Sequence, residues 1–350
     1  MDDLSPSRRG FLAGTAAILG ATALGRDALA APPSMGRGRV VLVEHPGATL
    51  DKSKVDEAVV GRMVEEALKL FTGAPSGKDA LAKLFKPGQK VAIKVNALGN
   101  PFAAVSPAVA MALAKHLAEA GIKKPDIRIF DQYVGRMQKA GYKMQKPADG
   151  VWVTGHEGSD PTAQTYTDGS STVKFHWAQS MVWADAVIDL CFPKDHNLTG
   201  ITGALKNMSL GVVRPTPEAE KQPNGYTVVP RFHRNNCDPA IAKLYALPMI
   251  KDKVKLIVCD ATRLLYHGGP QDNPRYRVQN NQILVSTDPV AMDTTILDLV
   301  NGWRAKNGLA KVEDDTQRQP RPPKFLKTAA DMGLGEGDRS KIKLEKKVLS

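Results

Sequence analysis

The chain has 350 residues, of which 42% are hydrophobic, and its 48 Lys and Arg against 36 Asp and Glu give a net charge of +12. This length is enough for one large α/β domain with a sizeable core. The basic charge would suit nucleic acid. However, the sequence has no helix-turn-helix pattern, no zinc knuckle and no alternation of basic and aromatic residues, so we expect no nucleic-acid partner. A small anionic ligand fits the charge better.

The cysteines are too few and too far apart for a cluster. Cys191, Cys237 and Cys259 form no C-x-x-C pair, so we expect no intrinsic iron–sulfur cluster. Cys191 and Cys259 lie in apolar runs, where a cysteine is usually a small buried hydrophobic residue. An oxidising compartment would permit one disulfide, and the pairing of the three stays open.

Residues 1–30 have the features of an export signal. Arg8 and Arg9 precede an apolar run rich in Ala and Gly, and Ala28-Leu29-Ala30 matches a small-x-small cleavage site. Paired arginines before such a run are typical of twin-arginine signals, and the run is short for a membrane span. We therefore predict the twin-arginine translocase as a partner, a single soluble α/β domain over residues 31–350, and a periplasmic location.

Strands and helices alternate along the first part of this domain. The sequence predicts strands at 39–44, 90–96 and 126–131, with helices at 55–71 and 107–121 between them. Ser106 is a natural N-cap and Pro107 suits the first helical position. Alternation with short links predicts an α/β fold, with a Rossmann-like, mainly parallel sheet and helices on both faces.

The pattern changes in the middle of the chain and then returns. Residues 150–180 read as a small antiparallel β insertion, in which two β-rich stretches flank a polar segment. A strand at 185–192 is followed by a short helix from Thr199 or Gly200, and residues 214–230 form a Pro-rich loop. Beyond it we predict a helix at 239–244, strands at 253–260 and 282–286, and a helix capped by Asp288 that ends near Asn301.

The segment from His196 to Asn207, HNLTGITGALKN, is the strongest indication of a functional site. Its glycines permit close approach of the backbone to a ligand, and its hydroxyls and Lys206 can bind an anion. His196 can transfer a proton or bind a metal. In open α/β sheets, ligands bind outside the carboxyl ends of the strands, where this segment falls. A solvated helix lysine and a loop histidine satisfied by a carbonyl remain the alternatives.

Polar residues that follow strands, namely Asn96, Asp131, His196 and Asp260, are expected to meet at one sheet edge. We predict His196 and Lys206 as catalytic residues. His233 and His267 are candidate metal ligands, although the turn His267-Gly-Gly-Pro has a structural explanation as well. The predicted substrate- or cofactor-binding residues are Lys94, Asn96, Asp131, Lys194, Thr199, Thr202, Gly203, Asn207, Arg231 and Asp260.

Several motifs together resemble the family called domain of unknown function 362, over about residues 88–345. The motifs are Ala92-Ile-Lys-Val-Asn96, the Ser106-Pro-Ala-Val helix start, Phe130-Asp131, Ala184-Asp-Ala-Val-Ile-Asp, Lys194-x-His196, Thr202-Gly-Ala-Leu-Lys-Asn207, Cys259-Asp260, His267-Gly-Gly-Pro270, Thr287-Asp-Pro-Val-Ala-Met-Asp293 and Ala330-Asp-Met-Gly-Leu-Gly335. Some relatives carry an added ferredoxin-like segment, whose cysteines this chain lacks. The family name implies no general activity.

The same loop also resembles, more distantly, one in the catalytic protein of nickel-pincer lactate racemases. The matching positions are His196, Gly200, Gly203, Lys206 and Gly211. The resemblance implies that His196 is a proton-transfer histidine and that Lys206 tethers an organometallic cofactor. Ala204 and Leu210 depart from that family's Gly and Pro. Its nickel-binding histidine falls near Gln222, so His233 would have to replace it.

Two classes of function follow from these residues. The first is a periplasmic enzyme that acts on a small anionic organic substrate, with or without a bound metal or organometallic cofactor. In it, Arg231 and His233 would close over the site from the Pro-rich loop. The second is a periplasmic ligand-binding or cofactor-carrier protein that serves a redox partner protein without catalysis.

Overall fold

The computed structural model describes residues 35–156, 160–168, 171–215, 232–315 and 321–350. By its contacts the chain divides into residues 1–32 and 33–350, and the fold below belongs to the second unit. Within the described ranges, no helix combines the length and the apolar character needed to cross a bilayer. The predicted export signal and most of the Pro-rich loop, Arg231 included, lie outside the described residues.

A large mixed sheet, parallel across its centre, forms the middle of the fold. The strands are β1 (Arg39–Glu44), β2 (Val91–Lys94), β3 (Ile127–Phe130), β4 (Trp152–Thr154), β5 (Gln164–Asp168), β6 (Ser171–Trp177), β7 (Ala186–Cys191), β8 (Lys194–His196), β9 (Gly200–Thr202), β10 (Val213–Arg214), β11 (Val254–Leu265), β12 (Arg277–Ser286) and β13 (Lys343–Val348). The main order is β13-β1-β12-β11-β7-β2-β3-β4, with β8 and β9 attached beside β11. The pairs from β11 through β7, β2 and β3 to β4 are all parallel, whereas β12 is antiparallel to both its neighbours.

Helices cover both faces of this sheet. The helices are α1 (Glu57–Thr72), α2 (Gly77–Ala82), α3 (Pro107–Glu119), α4 (Val134–Lys139), α5 (Gln179–Trp183), α6 (Ala204–Met208), α7 (Ala240–Tyr245), α8 (Pro248–Lys251), α9 (Pro289–Lys306) and α10 (Lys324–Asp331). Successive side chains of a strand point to opposite faces. Val41 and Val43 of β1 therefore join the core with α1 and α3, while Val40 and Leu42 join the core with α7 and α9. The predicted α/β class is confirmed.

The helix boundaries follow the capping residues. Asp56 accepts a hydrogen bond from the N–H of Val59 and begins α1, and Gly73 ends it with a φ of 65°, a left-handed conformation that glycine adopts without strain. Ser106 caps α3 with Pro107 in its first turn. Asp288 accepts from two N–H groups of α9. The starts of α3 and α9 agree with the sequence prediction, because caps depend on local chemistry, whereas α1 begins two residues and ends one residue later than predicted.

Four predicted elements differ from the structure. Trp152–Thr154, expected in the insertion, pairs parallel with β3 in the main sheet. The insertion is therefore the smaller sheet of β5, β6 and β10. Gly200–Thr202, expected to begin a helix, is a strand antiparallel to β8. The strands β11 and β12 extend further than predicted. The strand β13 was not predicted, because its Lys-rich sequence does not alternate between apolar and polar residues.

Candidate functional site

A cavity of about 380 Å³ lies at the carboxyl ends of the neighbouring strands β7, β2 and β3. Strand ends on a parallel sheet are where loops from different strands meet. Eight of the predicted site residues line this cavity: Lys94, Asn96, Asp131, His196, Thr202, Lys206, Asn207 and His233. The structure thus brings together residues from four separate parts of the chain.

Lys94 anchors the wall that β2 and β3 form. Its ammonium donates to Asp131 Oδ1 at 2.8 Å, Asn207 Oδ1 at 2.9 Å and the carbonyl of Val95 at 2.7 Å. The Lys94 side chain is 1% exposed. Burial is the largest single influence and acts to raise the pKa of Asp131, but the charge of Lys94 and the hydrogen bonds from Lys94 and the backbone together outweigh it, and the net shift is downward. Since an ammonium has three protons, all three donors of Lys94 are used within the protein.

Asn207 of α6 forms hydrogen bonds with residues of β2 and β7. Its amide Nδ2 donates to Asp189 Oδ1 at 2.7 Å, while its oxygen accepts from Lys94. Asp189 is fully buried, and burial raises the pKa of its carboxyl well above the usual range. Asn207 therefore stabilises the strand ends, because its amide bridges a buried carboxyl and a buried ammonium.

Lys194 is a second fully buried lysine beside the cavity. It donates to Asn96 Oδ1 at 2.9 Å and to the carbonyls of Leu98 and Ala103. Burial, together with the Lys206 charge, lowers its pKa to about 7. Its three donors are also used within the protein, so Lys194 holds the 96–103 loop in place and has no donor left for a ligand.

Lys206 differs from both of these lysines. Within the described part of the chain, its amine makes one hydrogen-bonding contact, a 2.5 Å approach to His196 Nε2. The other ring nitrogen, Nδ1, accepts from the backbone N–H groups of Leu198 at 3.0 Å and Thr199 at 3.4 Å. Nδ1 must therefore have a lone pair, and a neutral ring then has its proton on Nε2. That proton needs an acceptor, which only an uncharged Lys206 amine can be.

Burial also favours the uncharged forms of Lys206 and His196. It lowers the pKa of Lys206 to about 8. Burial, followed by the charge of Lys206, lowers the pKa of His196 well below its usual range. Desolvation disfavours the charged form of both groups. Both groups are thus shifted toward their neutral forms: the imidazole is uncharged, and a pKa of about 8 leaves roughly a tenth of Lys206 uncharged at pH 7.

The orientation of His196 is set by a buried ionic network on the other side of β8. Asp195 alternates with Lys194 and His196 along the strand, and its Oδ1 accepts from Arg321 Nη1 at 2.6 Å. Arg321 also donates to the carbonyl of His196 at 2.8 Å. Asp315 accepts from Arg321 at 3.1 Å and from Arg304 at 2.7 Å. Sequence reasoning missed this network, although the Lys-Asp-His alternation was a usable signal.

The start of α6 is held by a carboxyl from α9. Asp293 accepts from the N–H groups of Ala204 at 2.5 Å and Leu205 at 3.1 Å, and burial raises its pKa to about 7. A Cβ on Gly203 would lie 2.1 Å from Asp293 Oδ1. Gly203 does not line the cavity; glycine is needed there for the close approach of Asp293.

Two further residues line the cavity near Lys206 and His196. Thr202 is 3% exposed, and its buried hydroxyl has no hydrogen-bond partner among the described residues. The ring of His233 stacks on His196 with centroids 6.2 Å apart. Buried hydroxyls are normally paired, so the Thr202 hydroxyl is a candidate ligand donor.

Besides Lys194 and Gly203, three more predicted residues lie outside the cavity lining. Asp260 lies in the middle of β11, because the strand continues beyond its predicted end. Its carboxylate accepts from the N–H of Ser106 at 2.7 Å. Thr199 donates its hydroxyl to the carbonyl of Ile201 at 2.8 Å. His267 Nδ1 lies 2.9 Å from Arg304 Nη1. Each makes a contact that stabilises the scaffold.

The described residues offer no metal-ligand set. No three His, Cys, Asp or Glu in these ranges are grouped so as to hold an ion, and His267 does not share the cavity of His233. The pairing of those two histidines as ligands is therefore not supported. The position near Gln222 falls among residues that are not described. All three cysteines are buried thiols.

Comparison with known proteins identifies the family. The sequence model of the domain of unknown function family DUF362 matches residues 91–298, more than half of the chain. The chain therefore belongs to this family, and the resemblance inferred from its motifs is confirmed. No curated protein matches the sequence.

Two solved structures are similar in fold. The lactate racemase apoprotein from Thermoanaerobacterium thermosaccharolyticum is 16% identical with a TM-score of 0.38, and the match covers 71% of this chain and 54% of that one. A protein from Thermotoga maritima is 14% identical with a TM-score of 0.41, covering 74% and 61%. The chain thus spans less than two thirds of either structure's length.

Proposed function

We propose that this member of the DUF362 family is an exported enzyme that transfers a proton on a small anionic organic substrate. Lys206 and His196 form its reacting pair. The observation that carries the proposal is the 2.5 Å contact between Lys206 Nζ and His196 Nε2 at the wall of the cavity. A base that is uncharged near neutral pH is what proton abstraction requires.

The two side chains divide the work. While the cavity is empty of substrate, the Nε2–H of His196 donates to the amine lone pair and favours the uncharged lysine. A substrate that displaces this contact meets the lone pair of Lys206, which accepts the proton. The released Nε2–H then donates to a substrate oxygen, where negative charge develops. The predicted proton-transfer role of His196 thereby passes in part to Lys206.

The charge of the cavity favours an anion. Asp131 is the one carboxylate among the described lining residues, and the charge of Lys94 balances it. The net positive charge therefore comes from the protonated fractions of Lys206 in the lining and of Lys194 beside it. Lys194 has no free donor, so its charge acts through the potential and not by direct contact. The Thr202 hydroxyl is the donor best placed for direct contact. This differs from the sequence prediction, in which Lys94 and Lys194 bind the ligand directly.

Export through the twin-arginine system remains part of the proposal and rests on residues 1–30 alone. A cofactor is not part of it. Lys206 has the amine that could tether an organometallic group, but the described residues provide no metal-ligand set. We therefore derive no step through such a group.

Hydrogen exchange tests the proposal directly. The purified protein is incubated in deuterated buffer with a panel of small 2-hydroxy and 2-oxo acids, and exchange at the carbon next to the carboxylate or carbonyl is followed by NMR. We expect exchange with at least one acid and a loss of about 10²-fold or more in Lys206→Met, as is usual for removal of a general base. Lys86→Met is the matched control, because Lys86 is exposed and its ammonium donates to the carbonyl of Ala82, away from the cavity.

Two outcomes would remove the enzyme proposal. One is exchange that is equally fast in wild type and Lys206→Met. The other is a ligand that stays bound in native mass spectrometry while none of the acids exchanges. The second result would support a binding or carrier protein instead.

A further inference from the structure

The amine of Lys206 has chemistry that proton transfer alone does not use. A neutral primary amine in a cavity is a nucleophile as well as a base. The hydrogen-bond geometry gives it this form, because His196 Nδ1 already accepts from two backbone N–H groups and leaves its only proton at Nε2. Lys94 and Lys194 cannot play this part, since all their donors are engaged.

We propose that Lys206 forms an imine with the carbonyl carbon of a small anionic aldehyde or 2-oxo acid. The inference rests on the proposed function, because it concerns the same cavity, and it names the substrate class. The carboxylate of such a ligand suits the positive potential from Lys194, since the charge of Lys94 is balanced by Asp131. Its carbonyl oxygen suits the unpaired hydroxyl of Thr202 and the Nε2–H of His196.

The step balances without an oxidant or a reductant. The Nζ lone pair forms the N–C bond as the C=O π pair moves to oxygen, and the Nε2–H of His196 stabilises that oxyanion. Both hydrogens of the amine then pass to the oxygen, which leaves as water when the C=N bond forms. Once it is bonded to carbon, Lys206 Nζ no longer serves as the base, so imine formation is a second use of the same amine and not a stage of the proton transfer.

The environment around the pair suits this chemistry. Lys206 is 7% exposed and His196 is 3% exposed, yet both line the cavity. Water that would hydrolyse an imine has little access to a site buried to this degree. The stacked ring of His233 covers the other side of His196.

Reductive trapping with glyoxylate and cyanoborohydride tests the inference. Peptide mapping by mass spectrometry reports carboxymethylation at each lysine of the wild-type protein at pH 7. With the pKa of Lys206 at about 8 and a surface lysine near 10.4, the uncharged fraction differs by roughly 200-fold. We therefore expect modification of Lys206 at least tenfold faster than of Lys86, and loss of that preference in urea-unfolded protein. Propionaldehyde, which has no charge, should show a smaller preference for Lys206.

The wild-type experiment depends on no variant that might fail to fold. A His196→Gln variant that keeps the wild-type melting temperature should trap glyoxylate at Lys206 more slowly. The glutamine amide has a donor and an acceptor, so it no longer requires the amine to be an uncharged hydrogen-bond acceptor. Modification of Lys206 no faster than of Lys86 in folded protein would overturn the inference, as would a non-reducible group already present on Lys206. Trapping without hydrogen exchange would sink only the proton-transfer proposal. Exchange without trapping would sink only the imine.

Discussion

Replacement of Gly203 by alanine should destabilise the protein strongly, although the residue lies on a loop. A Cβ there would lie 2.1 Å from Oδ1 and 2.6 Å from Cγ of Asp293, a distance at which the carboxyl must move. Its oxygens would then leave the N–H groups of Ala204 and Leu205. Each buried N–H left without an acceptor costs about 1–3 kcal/mol. For the two groups we therefore expect a loss of about 2–6 kcal/mol in the free energy of unfolding.

Urea unfolding followed by tryptophan fluorescence measures this loss. Gly302→Ala is the matched control, because Gly302 is an exposed residue of α9 with no atom near its would-be Cβ. Alanine in a helix interior is favoured over glycine by roughly 0.5–1 kcal/mol, so this variant should be unchanged or slightly more stable. A Gly203→Ala protein within about 0.5 kcal/mol of wild type would refute the account.

A double-mutant cycle separates the clash from other effects of the substitution. If Gly203→Ala acts by displacing Asp293, then Gly203→Ala combined with Asp293→Ala should be little less stable than Asp293→Ala alone. Neighbours in contact are expected to be non-additive in this way. Additive losses would place the cause elsewhere in the loop.

Three further predictions follow from the buried charges and caps. Arg321→Met should cost about 3–5 kcal/mol, because it leaves Asp195 buried without its 2.6 Å partner. Arg339→Met breaks a pair whose side chains are 54% and 51% exposed and should cost under about 1 kcal/mol; equal losses in urea unfolding would contradict this. The pKa of Asp293 is raised to about 7, so its stabilising contribution is complete below about pH 3.9 and is lost as the pH rises through 7. The stability of wild type relative to Asp293→Asn should therefore fall between pH 4.5 and 8. A constant difference across that range would contradict a raised pKa of the buried Asp293 carboxyl. Ser106→Ala should lower the free energy of unfolding by about 1 kcal/mol through loss of the α3 cap, and an unchanged thermal melt would count against that cap.

The local elements were predictable because their signals are local. The bounds of β1, the start of α3 and the Asp288 cap of α9 agree with the sequence prediction. Apolar period and capping chemistry act within a few residues. The prediction was wrong at Gly200–Thr202, where pairing with β8 decides the conformation. That partner strand is a tertiary context which overrides local preference.

The candidate site was likewise predictable in part from local sequence. The residue types between His196 and Asn207, and their position after a buried strand, indicated a cavity at the carboxyl edge of the sheet from the sequence alone. Only the tertiary structure distinguished the three lysines. Lys94 and Lys194 have their donors occupied by residues distant in sequence, Asp131 and Asn96 among them, whereas Lys206 contacts His196. The physical reason is that the charge state of a buried amine depends on every partner within hydrogen-bond reach, and those partners come from strands that only folding brings together.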